Sequence, residues 1–435
     1  MRIERLDAEL LAGLGAPAAV ASRLRSLVPG GASVEPAVRE IVDRVRAEGD
    51  DAVSDYTRRF DTHGNDPRPL LVTPEELDEA IKLLPLELVA GLQVAIANVA
   101  TVAQAGAGEE VAVELPQGQR IALREVPVGS AAVYVPGGRA PYPSTVVMGV
   151  VTARAAGVLS VAVCSPPGPD GQIDPTILGV CRLCGVERVY RMGGAQAIAA
   201  LAYGTDTVDR VDVVVGPGNL YVQEAKRLLS ATVGIDGFAG PSDLLVLLGS
   251  GVGADELELA ALDMLAQGEH GDGSLVVAVS CAPHLDDELA AMLERLVVEH
   301  PSVGEAAFAL VQAPGAREAV ALANAFAPEH LELIGADVEA LAPMITSAGC
   351  LFVGSASATA FGDYVAGSNH VLPTGGAARF SSMLSTRQFR RRMAEVRIDG
   401  AAVKLAAAGA PIARAEGFEV HAESMEARVR ENGRP

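Results

Sequence analysis

The chain of 435 residues has no tryptophan, and aromatic residues make up only 4% of it. Positive charge is scarce too: 34 Lys and Arg face 55 Asp and Glu, a formal charge of −21. A nucleic-acid surface needs a basic face that releases counterions. No Lys/Arg cluster with interleaved aromatics occurs, so nucleic acid is excluded as a partner. The cysteines number five, an odd count that does not suit a closed disulfide framework. Cys181 and Cys184 form one C-x-x-C in a helical run ending at Gly185, which reads as helix packing, with redox or zinc chemistry as the other reading. Long apolar runs are missing as well. The run STVVMGVVTARAAGV is broken by Arg154 and too short to span a bilayer, so no membrane is expected. The start, MRIERLDAEL, places acids within its first eight residues and offers no apolar core, so no signal peptide and a cytoplasmic location are expected.

What is present is an ordinary globular composition, 49% hydrophobic and 20% charged, long enough for two or three domains with cores of their own. Residues 131 to 235 repeat one rhythm of β-rich run, Gly/Pro turn and Ala-rich helical run. AAVYV, LSVAVC, ERVYRM and VDVVVG are the β-rich runs, and TVVMGVVTARAAG, PTILGVCRLCG, AQAIAALAYG and LYVQEAKRLLS follow them. Runs apolar on both faces imply a parallel sheet covered on both sides. The rhythm resumes with DLLVLLG and a helix across 254 to 267, then SLVVAVS and a helix across 284 to 299, and later EHLELI and GCLFVG as strands. The expected fold is α/β, with two doubly wound Rossmann-like lobes and helical N- and C-terminal arms. Ligands of such sheets lie at the carboxyl ends of strands, and the Gly-rich turns at 137–138, 193–194, 216–218 and 240 are expected there. Residues 1 to 60 read as helical, and 381 to 435 as charged and helical with no strand.

Seven histidines offer chemistry. His63, His284 and His300 stand in polar loops or at helix ends and read as solvated. In AQGEHGD, Gln267 and His270 project from one helix face. They read either as hydrogen-bonding the next element or as two ligands of a metal. Asp363 lies in the Gly-rich FGDYVAGSNHVLP with His370, as a turn former or a ligand. His421 and Glu416 sit on the C-terminal arm. Gln267, His270, Asp363 and His421 together make a mixed N/O set suited to Zn²⁺ or a related ion. In APEHLELI, Pro328 is expected to keep Ala327 extended, with Glu329 and His330 at the mouth of the strand. An imidazole can take a proton near neutral pH and a carboxylate can activate water. Neighbours in a regular strand point to opposite faces, so serving one substrate requires irregular backbone there. GPGN opens a helix whose N–H groups suit a phosphate, and GGAQ repeats the arrangement one unit earlier.

From GDDAVSDYTRRFD at residue 49 to the C-terminal arm, the chain resembles the histidinol dehydrogenase family. The motifs that carry the resemblance are YVPGGRAPYPS, GGAQAIAALAYGT, GPGNLYVQEAKR, GIDGFAGPSD, QGEH, APEHLE, SAGCLFVG, GDYVAGSNHVLPTGG and FSS. The resemblance implies one zinc per site, held by Gln267, His270, Asp363 and His421, with the arm crossing to the partner of an obligate homodimer. It implies Glu329 and His330 as the catalytic pair, and substrate contacts at Ser242, Gln267, His270, His330, Asp363, Glu416 and His421. It places NAD at Tyr134, Gln196 and Asn219, and His370 beside the site. It implies oxidation of L-histidinol, the last step of histidine biosynthesis, through a bound aldehyde to L-histidine with two NAD⁺. His330 would take the hydroxyl proton and Glu329 would help form the hydrated aldehyde. Of the five cysteines only Cys350, in SAGCLFVG, falls in these motifs.

The expected division is a helical arm over 1–25, a metal and catalytic lobe over 26–130 with 239–380, an NAD lobe over 131–238, and the arm over 381–435. Gly268 stands where the family has Ala and is expected to loosen the helix end; Asp243 stands where Glu is commoner, and the arm reads HAESMEAR rather than H-A-R-S. Read without the resemblance, the residues also allow a zinc hydrolase with Glu329 as base, or a two-lobed metal- or solute-binding protein.

Overall fold

The computed structural model describes residues 3–6, 16–28, 33–137, 140–237, 240–271, 273–303 and 306–431. Gly138 of the first Gly-rich turn, Phe238 and Ala239 at the expected lobe boundary, and Asp272 of AQGEHGD lie outside these. In chain order the strands are β1 (Ile3–Leu6), β2 (Val111–Glu114), β3 (Arg120–Pro127), β4 (Ser130–Tyr134), β5 (Ser160–Ser165), β6 (Arg188–Arg191) and β7 (Val213–Val215). They continue with β8 (Gly234–Ile235), β9 (Asp243–Leu248), β10 (Leu275–Ser280), β11 (Ala307–Gln312), β12 (His330–Ile334), β13 (Cys350–Val353) and β14 (Arg390–Arg397).

Two compact units divide the chain. The first, residues 1–106 and 129–389, holds two parallel sheets, ordered β6-β5-β4-β7-β8 and β1-β11-β10-β9-β12-β13. The α/β class is therefore as the sequence implies. Every residue of β9 and β10 is buried, the mark of strands covered on both faces. Alternation then assigns the faces. Leu245, Leu247, Leu331 and Leu333 pack with Val20, Leu24 and Phe326 on one side. Leu244, Val246, Leu248 and Ile334 pack with Leu257, Met264 and Leu289 on the other. His330 and Glu332 alternate with Leu331 and Leu333, so they face the second side, toward the helix Ala254–Gly268. Proline at the first turns of Pro143–Ala155, Pro175–Leu183 and Pro283–Glu299 starts those helices without losing a needed N–H.

Several expectations change. Residues 3–6 are not helical but form β1, paired in parallel with β11. The helices Glu35–Glu48 and Asp50–Phe60 bury Val38, Ile41, Val53 and Tyr56 in the core of the five-stranded sheet, not the six-stranded one. Apolar residues on one face decide this, and sequence position does not. The helix Leu86–Ala105, rather than the run around Arg154, is long and apolar enough by length and composition to cross a membrane. It buries Leu92, Ala95 and Val99 and exposes Leu86, Val94 and Val102.

The second unit comprises residues 107–128 and 390–435. Residues 107–128, expected in one lobe with 239–380, thus do not join the six-stranded sheet: they supply β2 and β3 of an antiparallel sheet ordered β14-β3-β2. The C-terminal segment therefore does have a strand, RRRMAEVR, which is largely exposed along its length. The helices Ala402–Ala415 and Glu419–Glu431 close on Ala410, Ala413, Ala422 and Met425.

Candidate active site

The site on the six-stranded sheet is built at the amino ends of β9 and β12, not at carboxyl ends. His330 stands opposite Leu244 in parallel register, which sets Glu329 beside Ser242 and Asp243. The backbone before His330 is irregular. Ala327 is not extended: its φ of 50° and ψ of 66° place it in the left-handed region, closing the helix Ala316–Phe326. Its N–H finds the Ala323 carbonyl, a C-terminal closure that here outweighs the usual preference before proline. Glu329 precedes the strand and so escapes its alternation.

Glu329 and Asp243 clasp each other. The Glu329 N–H donates to Asp243 Oδ1 at 2.7 Å, and the Asp243 N–H donates to Glu329 Oε2 at 3.1 Å. Ser242 Oγ donates to the same Oε2 at 2.6 Å, and Gln267 Nε2 donates to Ser242 Oγ at 2.5 Å. Burial, with Asp243 next in weight, pushes the Glu329 carboxyl up to about 8. His330, 3% exposed, is pushed down to about 3 by burial and by the nearby imidazoles of His270 and His370. It is therefore neutral near pH 7, with Nδ1 lacking a hydrogen-bond partner among the described residues. Its Nε2 lies 3.8 Å from Asp363 Oδ1. Burial alone pushes Asp363 up to about 7. His370 Nδ1 lies 2.9 Å from the Asp363 carbonyl and Nε2 3.3 Å from Thr145 Oγ1, so it braces Asp363 against the helix Pro143–Ala155. His270 is exposed at the end of its helix, its Nδ1 3.3 Å from the Gln267 carbonyl.

Among the described residues no three His, Cys, Asp or Glu side chains form a ready metal cluster. The donors nevertheless suit a divalent cation. Gln267 commits its amide nitrogen to Ser242 and leaves Oε1 as a ligand, His270 offers an exposed imidazole, and a cation would relieve the desolvated Asp363. Glu416 and His421 belong to the second unit, both exposed, with His421 tilted against Phe418 at 5.2 Å. Gly268 does not loosen the helix end: a Cβ there would meet Val303 Cγ1 at 2.9 Å and Phe308 Cζ at 3.2 Å, so glycine makes room for packing.

Tyr134, Gln196 and Asn219 line one cavity of about 960 Å³ at the carboxyl ends of β4 to β7. Tyr134 Oη accepts the Gly194 N–H at 3.1 Å. Gln196 is 1% exposed, and its Nε2 has no partner among the described residues, a donor that a cofactor could satisfy. Asn219 Oδ1 caps the helix Leu220–Leu229, which leaves its amide N–H₂ free of that duty. Gly194, at φ +59°, and Gly216, where a Cβ would lie 2.1 Å from the Tyr134 carbonyl, must be glycine for the turns to pass so closely.

Residues not picked out in the sequence also converge here. Arg25 bonds Asp243, Asp61 lines the cavity, and Glu332 is buried against Asp263. Burial and the neighbouring Asp263 hold Glu332 well above the carboxylate range. A glutamate in the middle of HLELI, and an aspartate one helical turn before Gln267, were the available signals.

The family profile described as histidinol dehydrogenase matches residues 29–429. Histidinol dehydrogenase of Parasynechococcus marenigrum is 41% identical over 403 residues, 91% of each chain. That of Rhizobium meliloti is 40% identical over 403 residues, 91% of this chain and 92% of the relative. The crystal structure of histidinol dehydrogenase from Elizabethkingia anophelis superposes with a TM-score of 0.90 at 28% identity, covering 99% of both chains.

Proposed function

The chain belongs to the histidinol dehydrogenase family, and we propose that it oxidises L-histidinol through bound L-histidinaldehyde to L-histidine in the cytoplasm, with two NAD⁺ and one zinc per site. The observation that carries this reading is the neutral His330 standing beside a clasped Glu329 and facing Asp363.

Gln267, His270 and Asp363 would hold the zinc, with His421 as the fourth ligand from the other subunit. The ion would supply a template for the substrate's amino and imidazole nitrogens. NAD⁺, with Tyr134, Gln196 and Asn219 as its contacts, would supply the hydride acceptor. Ser242 and Glu416 would complete the substrate contacts, and His370 would keep Asp363 oriented. His330 is held neutral by burial, so it meets the carbinol as a proton acceptor. Glu329 receives two hydrogen bonds at Oε2, from Ser242 and Asp243, which leaves Oε1 to take a proton from the water that adds to the aldehyde. Cys350, which pairs in register with His330, has its thiol pushed up by burial, as have Cys164 and Cys181, so none suits a thiolate route. A homodimer is supported by the exposed apolar face of Leu86–Ala105, which a second copy would cover. The decisive experiment counts NADH formed per L-histidinol consumed by zinc-loaded protein. Two NADH, lost on chelation and restored by zinc, are expected; no NADH with the substrate untouched overturns the reading.

A further inference from the structure

Arg25 ends the helix Ala16–Arg25, far in sequence from the residues of the site. Its guanidinium makes four contacts at once, one of them a longer bond from Nη2 to the Ala327 carbonyl at 3.4 Å. Nη1 donates to Asp243 Oδ2 at 3.1 Å, Nη2 donates to the Phe326 carbonyl at 2.6 Å, and the group lies 4.0 Å from the centre of the Phe326 ring. A planar fork can hold a carboxylate, a carbonyl and an aromatic face together, which an ammonium cannot. Gly376 leaves space for it, since a Cβ there would stand 3.3 Å from Arg25 Nε.

The two closer oxygens Arg25 joins, on Asp243 and Phe326, sit at the two ends of one turn, with the Ala327 carbonyl between them. Phe326 precedes left-handed Ala327 and Pro328, and Asp243 receives the N–H of Glu329 just beyond them. A non-glycine residue at positive φ before a proline costs free energy and persists only where the surroundings fix it. Arg25 spans that turn like a strut. On the far side, Asp243 grips both the backbone and the carboxyl of Glu329. We propose that Arg25 is a positioning residue of the reaction, holding the turn Ala327–Pro328 through Asp243 and the Phe326 carbonyl so that the Glu329 carboxyl stays aimed at the substrate. The proposal rests on the reading of Glu329 as the group that activates water.

The charged and titratable groups that face Glu329 are Asp243 and Asp363, with neutral His330 adjacent, and Arg25 acts on it through Asp243. The test compares zinc-loaded wild type with Arg25→Gln, Arg25→Lys, Glu329→Gln and the double variant Arg25→Gln/Glu329→Gln, at enzyme concentrations high enough to follow residual rates. Arg25→Gln should lower kcat by about 10- to 100-fold, with KM for L-histidinol changed less than about threefold, because a misaimed group loses rate before binding. In the Glu329→Gln background the same change should cost less than about twofold, since its effect runs through Glu329. Arg25→Lys should stay impaired by about tenfold or more, as it keeps the charge but cannot bridge both oxygens. An Arg25→Gln kcat within twofold of wild type, a full loss repeated on the Glu329→Gln background, or complete rescue by lysine would each overturn the proposal. Should Arg25→Gln not fold, Arg25→Lys carries the same comparison alone and on the Glu329→Gln background. A fully active Glu329→Gln would instead remove the reading of Glu329 itself.

Discussion

Replacing Glu329 with glutamine should cut turnover to a small residual rate and, at alkaline pH, strengthen the fold. Burial and the neighbouring Asp243 raise this carboxyl from the ordinary 4.5 to about 8. Between those values the unfolded chain has released a proton that the native state still holds. The native state then binds more protons, so its stability falls as pH rises through the window. The contribution is fully present below about 4.5 and lost above about 8. At about 1.36 kcal/mol per unit, the ceiling is about 5 kcal/mol. Buried sites respond as though the medium had an effective dielectric near 20, so about 2 kcal/mol is the working expectation. Glutamine keeps the shape, and its Oε1 can still accept from Ser242 Oγ and the Asp243 N–H. Asp61 and the Asp263–Glu332 pair also titrate with raised values, but they are common to both proteins and cancel, whereas the charges of Asp243 and Asp363 act on Glu329 and belong to the difference measured. Urea unfolding of metal-free wild type and Glu329→Gln at about pH 5 and about pH 9 measures the difference. The two should be nearly equal at the lower pH, and the variant should lead by about 2 kcal/mol at the higher. A lead that does not grow with pH would refute the electrostatic account of the clasp.

The same clasp predicts the effect of Ser242→Ala. The serine hydrogen bond lowers the Glu329 value, so its loss should move the acidic limb of kcat to higher pH, measured as a pH–rate profile; an unmoved limb would separate Ser242 from Glu329. Gly268→Ala should gain about 1 kcal/mol of helix propensity but incur about 1–3 kcal/mol of overpacking against Val303 and Phe308, for a lower melting temperature. Adding Val303→Ala should recover most of that loss, and a single variant that melts higher than wild type would show that the packing gives way.

The two sheets are legible in the sequence because both faces of their central strands are covered, so that DLLVLL and LVVAVS read as unbroken apolar runs. Strands without that double cover hide. IERL at one edge and RRRMAEVR, exposed along much of its length, carry the charge pattern of helices, and only their partners β11 and β3 make them strands. The candidate site is legible where one element holds it: helical spacing brings Gln267 and His270 together, as hydrogen-bonding side chains or as ligands. The bond from Ser242 to Glu329 spans 87 positions and depends on the register of β12 against β9, which no local pattern contains. That register also fixes the chemistry. With His330 opposite Leu244, the alternation sends Leu331 and Leu333 into one core, and His330 and Glu332 toward the helix that bears Asp263 and Gln267. A slip of one residue would bury His330 and Glu332 among Val20, Leu24 and Phe326 and pull Glu329 away from Asp243. Leu331 and Leu333 therefore do more than fill space: the free energy of their burial, about 1.5–3 kcal/mol each, sets where His330 points.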